Sequence, residues 1–201
     1  MELQEVIHKR RMVHRFDRLR PIPAELLERV LESALHAPSA GFSQGVALVV
    51  LDQPDQLESF WRTTLTPTEG EYLDEQLVTG PPVVILTLAN KQIYLDRYSE
   101  PDKAEANMQK ADDWPAPYWD IDCGMSVMLM LLTAVDVGLG GWFFGISHGE
   151  SNLMKDLGVP PDYKPIGAMG LGYKASDDVK AGSSVTRTRR TLGEIEHRGR
   201  W

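Results

Sequence analysis

A single cysteine, Cys123, stands among the 201 residues. That excludes an intramolecular disulfide framework and any cysteine-cluster metal site. A reducing compartment, the cytoplasm, is the expectation. Long hydrophobic runs are missing too. The longest, Met125 to Leu132, is interrupted by Ser126 and is short of the ~20 residues that a bilayer span needs. The opening MELQEVIHKRR has no apolar stretch of the secretory kind, so no signal peptide is expected. Surplus positive charge is absent: the net charge is -8 and the pI about 5.1, which makes a poor polyanion binder. Neither nucleic acid nor membrane is an expected partner. The histidines His8, His14, His36, His148 and His197 show no metal-ligand spacing, so no metal is expected. There is no GxxxxGK[ST], which argues against P-loop hydrolysis. Gly138-Leu139-Gly140 begins like a dinucleotide fingerprint, but it follows a helical pattern and lacks the third glycine, so it reads as a helix stop.

What is present is an ordinary globular composition, 42% hydrophobic and 25% charged, long enough for a real core. With no repeat, low-complexity tract or linker, residues 1–201 read as one domain. The basic residues gather at the two ends. Lys9, Arg10, Arg11, Arg15, Arg18 and Arg20 lie near the start; Arg187, Arg189, Arg190, Arg198 and Arg200 lie near the finish. An acidic chain with basic ends points to a local anion site built from both termini; solvated or carboxylate-paired arginines are the alternative. Residues 96–122 lean acidic.

Periodicity predicts helices over 2–11, from Pro23 to before Pro38, over 54–65, 70–78, 118–137 and 149–157. Pro67 and Gly70 punctuate the middle of that series. Buried strands are expected at Val46–Leu51, Pro82–Leu88, Trp142–Ile146 and Ile166–Tyr173, the last glycine-rich enough to have something close to its backbone. In the 118–137 helix, 12 of the 17 positions from Ile121 to Val137 are hydrophobic, which predicts burial on every side. Residues 91–117 read as an irregular lid. The element order fits an α+β chain with a central mixed sheet flanked by helices.

Two segments carry chemistry. In Arg10-Arg11-Met12-Val13-His14-Arg15-Phe16-Asp17, Arg10 and His14 are four apart, as are Arg11 and Arg15, so each pair could converge on an anion. The loop Ala37-Pro38-Ser39-Ala40-Gly41-Phe42-Ser43-Gln44 offers small residues, free N–H groups and one amide, suited to approaching a planar ring. Cys123, on the apolar helix, reads as a small core hydrophobe.

Together, in this order, RRMVHRF at 10–16 and APSAGFSQ at 37–44 resemble the FMN-dependent nitroreductase family, with its R-R-S-x-R-x-F segment and A-P-S-x-x-N-x-Q loop. The apolar helix ending in a G-L-G turn, the IGAMGLGY strand and the ending RRTLGEIEHRGRW are similar to later family features. The resemblance implies a nitroreductase-like α+β homodimer, with a C-terminal tail reaching the partner subunit and FMN held between subunits. It implies that Arg10, Arg11, Met12 and His14 meet the FMN phosphate and ribityl chain, joined by Arg189 or Arg190. It implies that Pro38, Ser39, Ala40 and Gln44 come from the partner subunit along the flavin ring, with Phe143, Phe144 and Gly145 running backbone past it. The implied activity is ping-pong transfer of hydride from NADH or NADPH, through flavin N5, to a nitroaromatic, quinone or similar small acceptor. No side chain acts as a catalytic nucleophile. Substrate oxidation, dehalogenation, flavin breakdown and a non-catalytic flavin carrier are the other activities open to the same fold. Tyr94, Tyr98, Trp114, Tyr118 and Trp119 would line the acceptor site. Three positions depart from the family pattern: Met12 for serine, His14 for Arg or Lys, and Phe42 for asparagine.

Overall fold

A computed structural model describes residues 1–66, 70–180 and 182–201; Pro67, expected to punctuate the chain, lies outside the described residues. The apolar runs form β1 (Val46–Leu51), β2 (Val83–Asn90), β3 (Gly140–Phe144) and β4 (Tyr163–Gly172). Helices α1 (Leu3–Lys9) and α2 (Ala24–Ala34) precede the sheet in sequence. Then α3 (Pro54–Thr64) and α4 (Gly70–Thr79) join β1 to β2. They are followed by α5 (Lys91–Arg97), α6 (Tyr118–Asp136), α7 (Glu150–Asp156) and the short α8 (Ser183–Thr186).

The strands run in the order β1-β2-β4-β3, every neighbouring pair antiparallel. The expected mixed sheet is therefore corrected. Among the described residues, parallel pairing is confined to one bridge, Met12 to Gly141, on the outer side of β3. Helices between successive strands permit either direction, so element order alone could not fix the pairing. β2 is buried along its whole length because both faces are covered. Val83 and Ile85 join Met169 and Leu171 under Val30 of α2 and Val127, Met130 and Leu131 of α6. Val84, Leu86, Leu88 and Ala168 face Leu57, Phe60 and Trp61 of α3 and Leu153 of α7.

Three local expectations change. First, β4 starts at Tyr163, before Pro165. Proline cannot donate to a ladder, and it falls where the β2–β4 register shifts; β3 pairs only with Ala168–Gly172, so that stretch is an edge. Second, β3 starts at Gly140 instead of Trp142. Gly138, at φ 82°, ends α6, and a Cβ on Gly140 would lie 2.7 Å from Val13. What approaches the glycines of β4 is the protein itself: a Cβ on Gly167 would meet the Phe143 ring at 2.6 Å.

Third, α6 is not buried on every side. It is long and apolar enough to cross a membrane by length and composition, yet it packs on α2, β2 and β3 as a core helix. Its outer side keeps Ile121 and Met128 more than 40% exposed. The apolar outer residues follow from composition, and the described residues leave them open.

Candidate functional site

The segment after α1 is laid down by backbone bonds. Val13 N donates to Gly141 O at 3.0 Å, Phe16 N to Thr79 O at 2.7 Å, Asp17 N to Tyr173 O at 2.9 Å, and Ala175 N to Arg15 O at 3.0 Å. Val13 and Phe16 are the buried anchors. Residues 11–17 are thus zipped between β3 and the chain leaving β4.

Asp178 closes that zipper. Its side chain is 1% exposed and pairs with the Arg11 guanidinium. One carboxylate oxygen also accepts the N–H groups of His14 and Arg15, each at 3.1 Å. Burial pushes the Asp178 carboxyl up; the Arg11 bond, the two N–H bonds and the Arg11 charge outweigh it, and the net shift is downward. Arg11 is further held on Met12 O at 3.1 Å. Arg15 is taken by Glu75 at 2.9 Å and Asp177 at 3.1 Å. Arg10, half-buried, has no side-chain acceptor among the described residues.

The structure brings this segment to β3. Met12 Sδ accepts the Phe143 N–H at 3.4 Å, and the His14 ring meets Trp142 edge-on with centroids 5.1 Å apart. Phe143 and Phe144 point to opposite faces and are half-buried, and Gly145 follows exposed, with nothing within 4 Å of a Cβ built on it.

The 37–44 loop lies elsewhere. It is clamped to α5 and α6, and no hydrogen bond, ion pair or ring contact joins it to residues 10–14 among the described residues. Ala40 N donates to Asp122 at 2.9 Å, and Tyr94 donates its hydroxyl to the same oxygen at 2.8 Å. Arg97 Nε donates to Gly41 O at 2.9 Å and is itself held by Asp102 through two 2.7 Å bonds. Gly41, Phe42 and Gln44 all have φ near +60°. A glycine adopts that region freely; a phenylalanine does so only at an energetic cost. Pro38, Ser39 and Gln44 line a cavity of about 140 Å³ with Tyr94, Asp122 and Ser126.

The tail makes a third group. Residues 183–195 and 197–201 are exposed, Leu192, Ile195 and Trp201 among them. Arg190 donates to Glu194 O, and Thr191 holds the Glu194 carboxylate at 2.6 and 2.8 Å. Within one chain, no described contact brings Arg189 or Arg190 to Arg10 or Arg11.

A family model described as the nitroreductase family matches residues 7–173. The chain belongs to the nitroreductase family. That family is one of oxidoreductases, which makes this chain an oxidoreductase enzyme. A nitroreductase family protein from Streptococcus pneumoniae TIGR4 superposes with a TM-score of 0.74 at 18% identity, covering 98% of this chain and 100% of that one. An FMN-dependent nitroreductase from Clostridium difficile R20291 gives 0.69 at 17% identity, covering 98% of each. A relative from Methanothermobacter thermautotrophicus, whose name pairs NADH dehydrogenase with NAD(P)H nitroreductase, is 23% identical over 180 residues, 88% of this chain and 80% of its own.

In this nitroreductase-family chain the segment expected to be an irregular lid is ordered. It opens with α5 and carries short turns at Ala104–Ala106 and Ala111–Asp113. Its aromatics do not form an open wall: Tyr94, Trp114 and Trp119 are buried in a small core of their own, with Trp114 Nε1 donating to Met108 O at 2.8 Å. Tyr118 alone of the five stands 36% exposed. Five clustered aromatics bury more area than a surface loop keeps open. Cys123 is fully buried, and burial first, then Asp120 and Asp122, pushes its thiol up to about 12, which makes it inert. Sequence reasoning missed Asp122 and Asp178. An acid at helical spacing from Trp119, Ser126 and Met130, on the inward stripe of the most apolar helix, was a usable signal for Asp122; Asp178, in a polar stretch, offered none.

Proposed function

We propose that the chain is a homodimeric, cytoplasmic FMN-dependent oxidoreductase, a single domain over residues 1–201. It passes reducing equivalents from NADH or NADPH to a nitroaromatic, quinone or similar small acceptor. When bound, FMN supplies the hydride chemistry, accepting from the nicotinamide and delivering to the acceptor in alternation.

The carrying observation is the free Arg10 guanidinium beside a segment locked to β3. A cation with no counter-ion among the described residues, on a preorganised backbone, suits a phosphate monoester that carries nearly two charges. His14 adds a ring beside Trp142, and the open space at Gly145 lets a planar group approach the β3 backbone. On this reading Arg10 and His14 hold the phosphate end, with Arg189 or Arg190 of the tail as further cations. The backbone of Phe143–Gly145 supports the ring and excludes water from one face. Pro38, Ser39, Ala40 and Gln44, clamped away from residues 10–14 in their own chain, serve the partner's site. The exposed Leu3, Ile7, Ile121 and Met128, and the apolar residues of the detached tail, support the dimer.

The test is direct. Purified protein should be yellow, with oxidised-flavin absorbance, and should consume NAD(P)H with menadione as acceptor. Arg10→Ala combined with Arg190→Ala should yield colourless protein that still folds. Stoichiometric flavin retained by that double variant would refute the assignment.

A further inference from the structure

The geometry points to a division of labour between the adjacent arginines: Arg10 is the phosphate cation, whereas Arg11 and Asp178 form an internal clasp, with Asp178 the positioning residue of the site. This rests on the flavin reading above and deepens it.

The two guanidiniums leave the same stretch of chain into different surroundings. Arg11 is committed three times over, to the Asp178 carboxylate, to Asp178 O at 3.4 Å and to Met12 O at 3.1 Å. Its partner carboxylate is 1% exposed, so withdrawing Arg11 toward a ligand would strand a buried charge, which is strongly unfavourable. The pair is also neutral overall, and a neutral pair attracts a phosphate weakly. Arg10 carries neither restraint: no acceptor among the described residues holds it, and no carboxylate cancels its charge.

Asp178 does more than discharge Arg11. By accepting the N–H groups of both His14 and Arg15 it fixes the backbone on which His14 stands. Asp177, next along the chain, repeats the pattern by taking Arg15 at 3.1 Å. The stretch after β4 thus serves as a second strand of restraints for residues 11–15. A positioning residue of this kind acts on a ligand through the order of the segment, not through its own charge.

Apoprotein should be titrated with FMN by fluorescence at several salt concentrations, and melted without FMN, for wild type, Arg10→Met, Arg11→Met, Asp178→Asn and the Arg11→Met/Asp178→Asn double variant. Arg10→Met should raise Kd about tenfold or more and flatten its salt dependence, leaving the apo melting temperature unchanged. Arg11→Met and Asp178→Asn should each lower the apo melting temperature, and the double variant, as neutral as the pair it replaces, should keep the wild-type salt dependence. The double variant should melt no lower than the worse single variant. Should Arg11→Met not fold, Arg11→Lys keeps the charge and loses the fork, and a lowered melting temperature with unchanged salt dependence is again expected. Arg11→Met or Arg11→Lys that leaves apo stability intact, or an Arg11→Met/Asp178→Asn double variant that flattens the salt dependence as Arg10→Met does, overturns the proposal. Wild type that binds no FMN overturns the flavin reading, and the clasp is then judged by the melting results alone.

Discussion

The hydroxyl of Tyr94 and the carboxyl of Asp122 meet at 2.8 Å inside the protein, and the same Asp122 oxygen holds Ala40 N at 2.9 Å. One buried acid thereby ties α5, α6 and the 37–44 loop together. Burial first, then the bond to Asp122, pushes the Tyr94 phenol above its usual range, so it remains a proton donor throughout the working pH range. Tyr94→Phe keeps the ring packing and removes one bond. It should cost about 1–2 kcal/mol in urea unfolding. Asp122→Ala strands two buried donors and should cost more, about 2–3 kcal/mol.

Phe42 is 71% exposed at φ 56°, so it bears the left-handed cost with little packing in return. The asparagine common at this position in the resembled family is the residue type that accepts αL. Phe42→Asn should therefore stabilise the chain by about 0.5–1 kcal/mol in urea unfolding. A destabilised Phe42→Asn variant would mean that the exposed ring has a packing partner.

This position shows where the sequence was legible and where it was not. The match to the loop pattern at 37–44 was readable, and Phe42 stood out as a departure; the sign of φ that makes it costly comes only from the fold. β1 was readable to the residue, because an apolar run bounded by Gly45 and Asp52 has no competing reading. The pairing order was not, since β2 finds β4 across α6 and β3, and no local period records that. Arg10 and Arg11 look equivalent in sequence. They differ because Asp178 arrives from 167 positions away.

Acid should reveal the Asp178 clasp. Its folded pKa lies below the unfolded value of about 3.9, so its stabilisation is complete above that value and is lost as pH falls through the lower, folded one. Asp178→Asn should be less stable than wild type at neutral pH, by about 3 kcal/mol. The gap should narrow below about pH 4. Melting temperatures of both proteins from neutral to strongly acidic buffer check this; a gap that widens in acid would reverse the sign.

The β3–β4 contact should resist even one methyl group. A Cβ on Gly167 would lie 2.6 Å from the Phe143 ring and 2.7 Å from Phe144 O. The ring edge can shift, but a backbone carbonyl in a ladder cannot move without its strand. Gly167→Ala should cost about 1–3 kcal/mol by overpacking, read in urea unfolding. Because the strain falls on the strand leading to Gly145, flavin retention on a sizing column should fall as well.

Met12 separates stability from ligand binding. Its side chain packs against the α2–α6 side of the core, and its sulfur accepts the Phe143 N–H at 3.4 Å. Serine is too short to reach either partner. Met12→Ser should lower stability by about 2 kcal/mol, a moderate core truncation at a half-buried position. The same change restores the hydroxyl found in the family pattern beside the phosphate cation. One added neutral donor is worth about 1 kcal/mol, so FMN should bind roughly fivefold tighter. The two measurements move in opposite directions, so a general loosening of the segment cannot mimic the result: it would weaken both together. Urea unfolding of the apoprotein and fluorescence titration with FMN, made on the same preparation, decide between them.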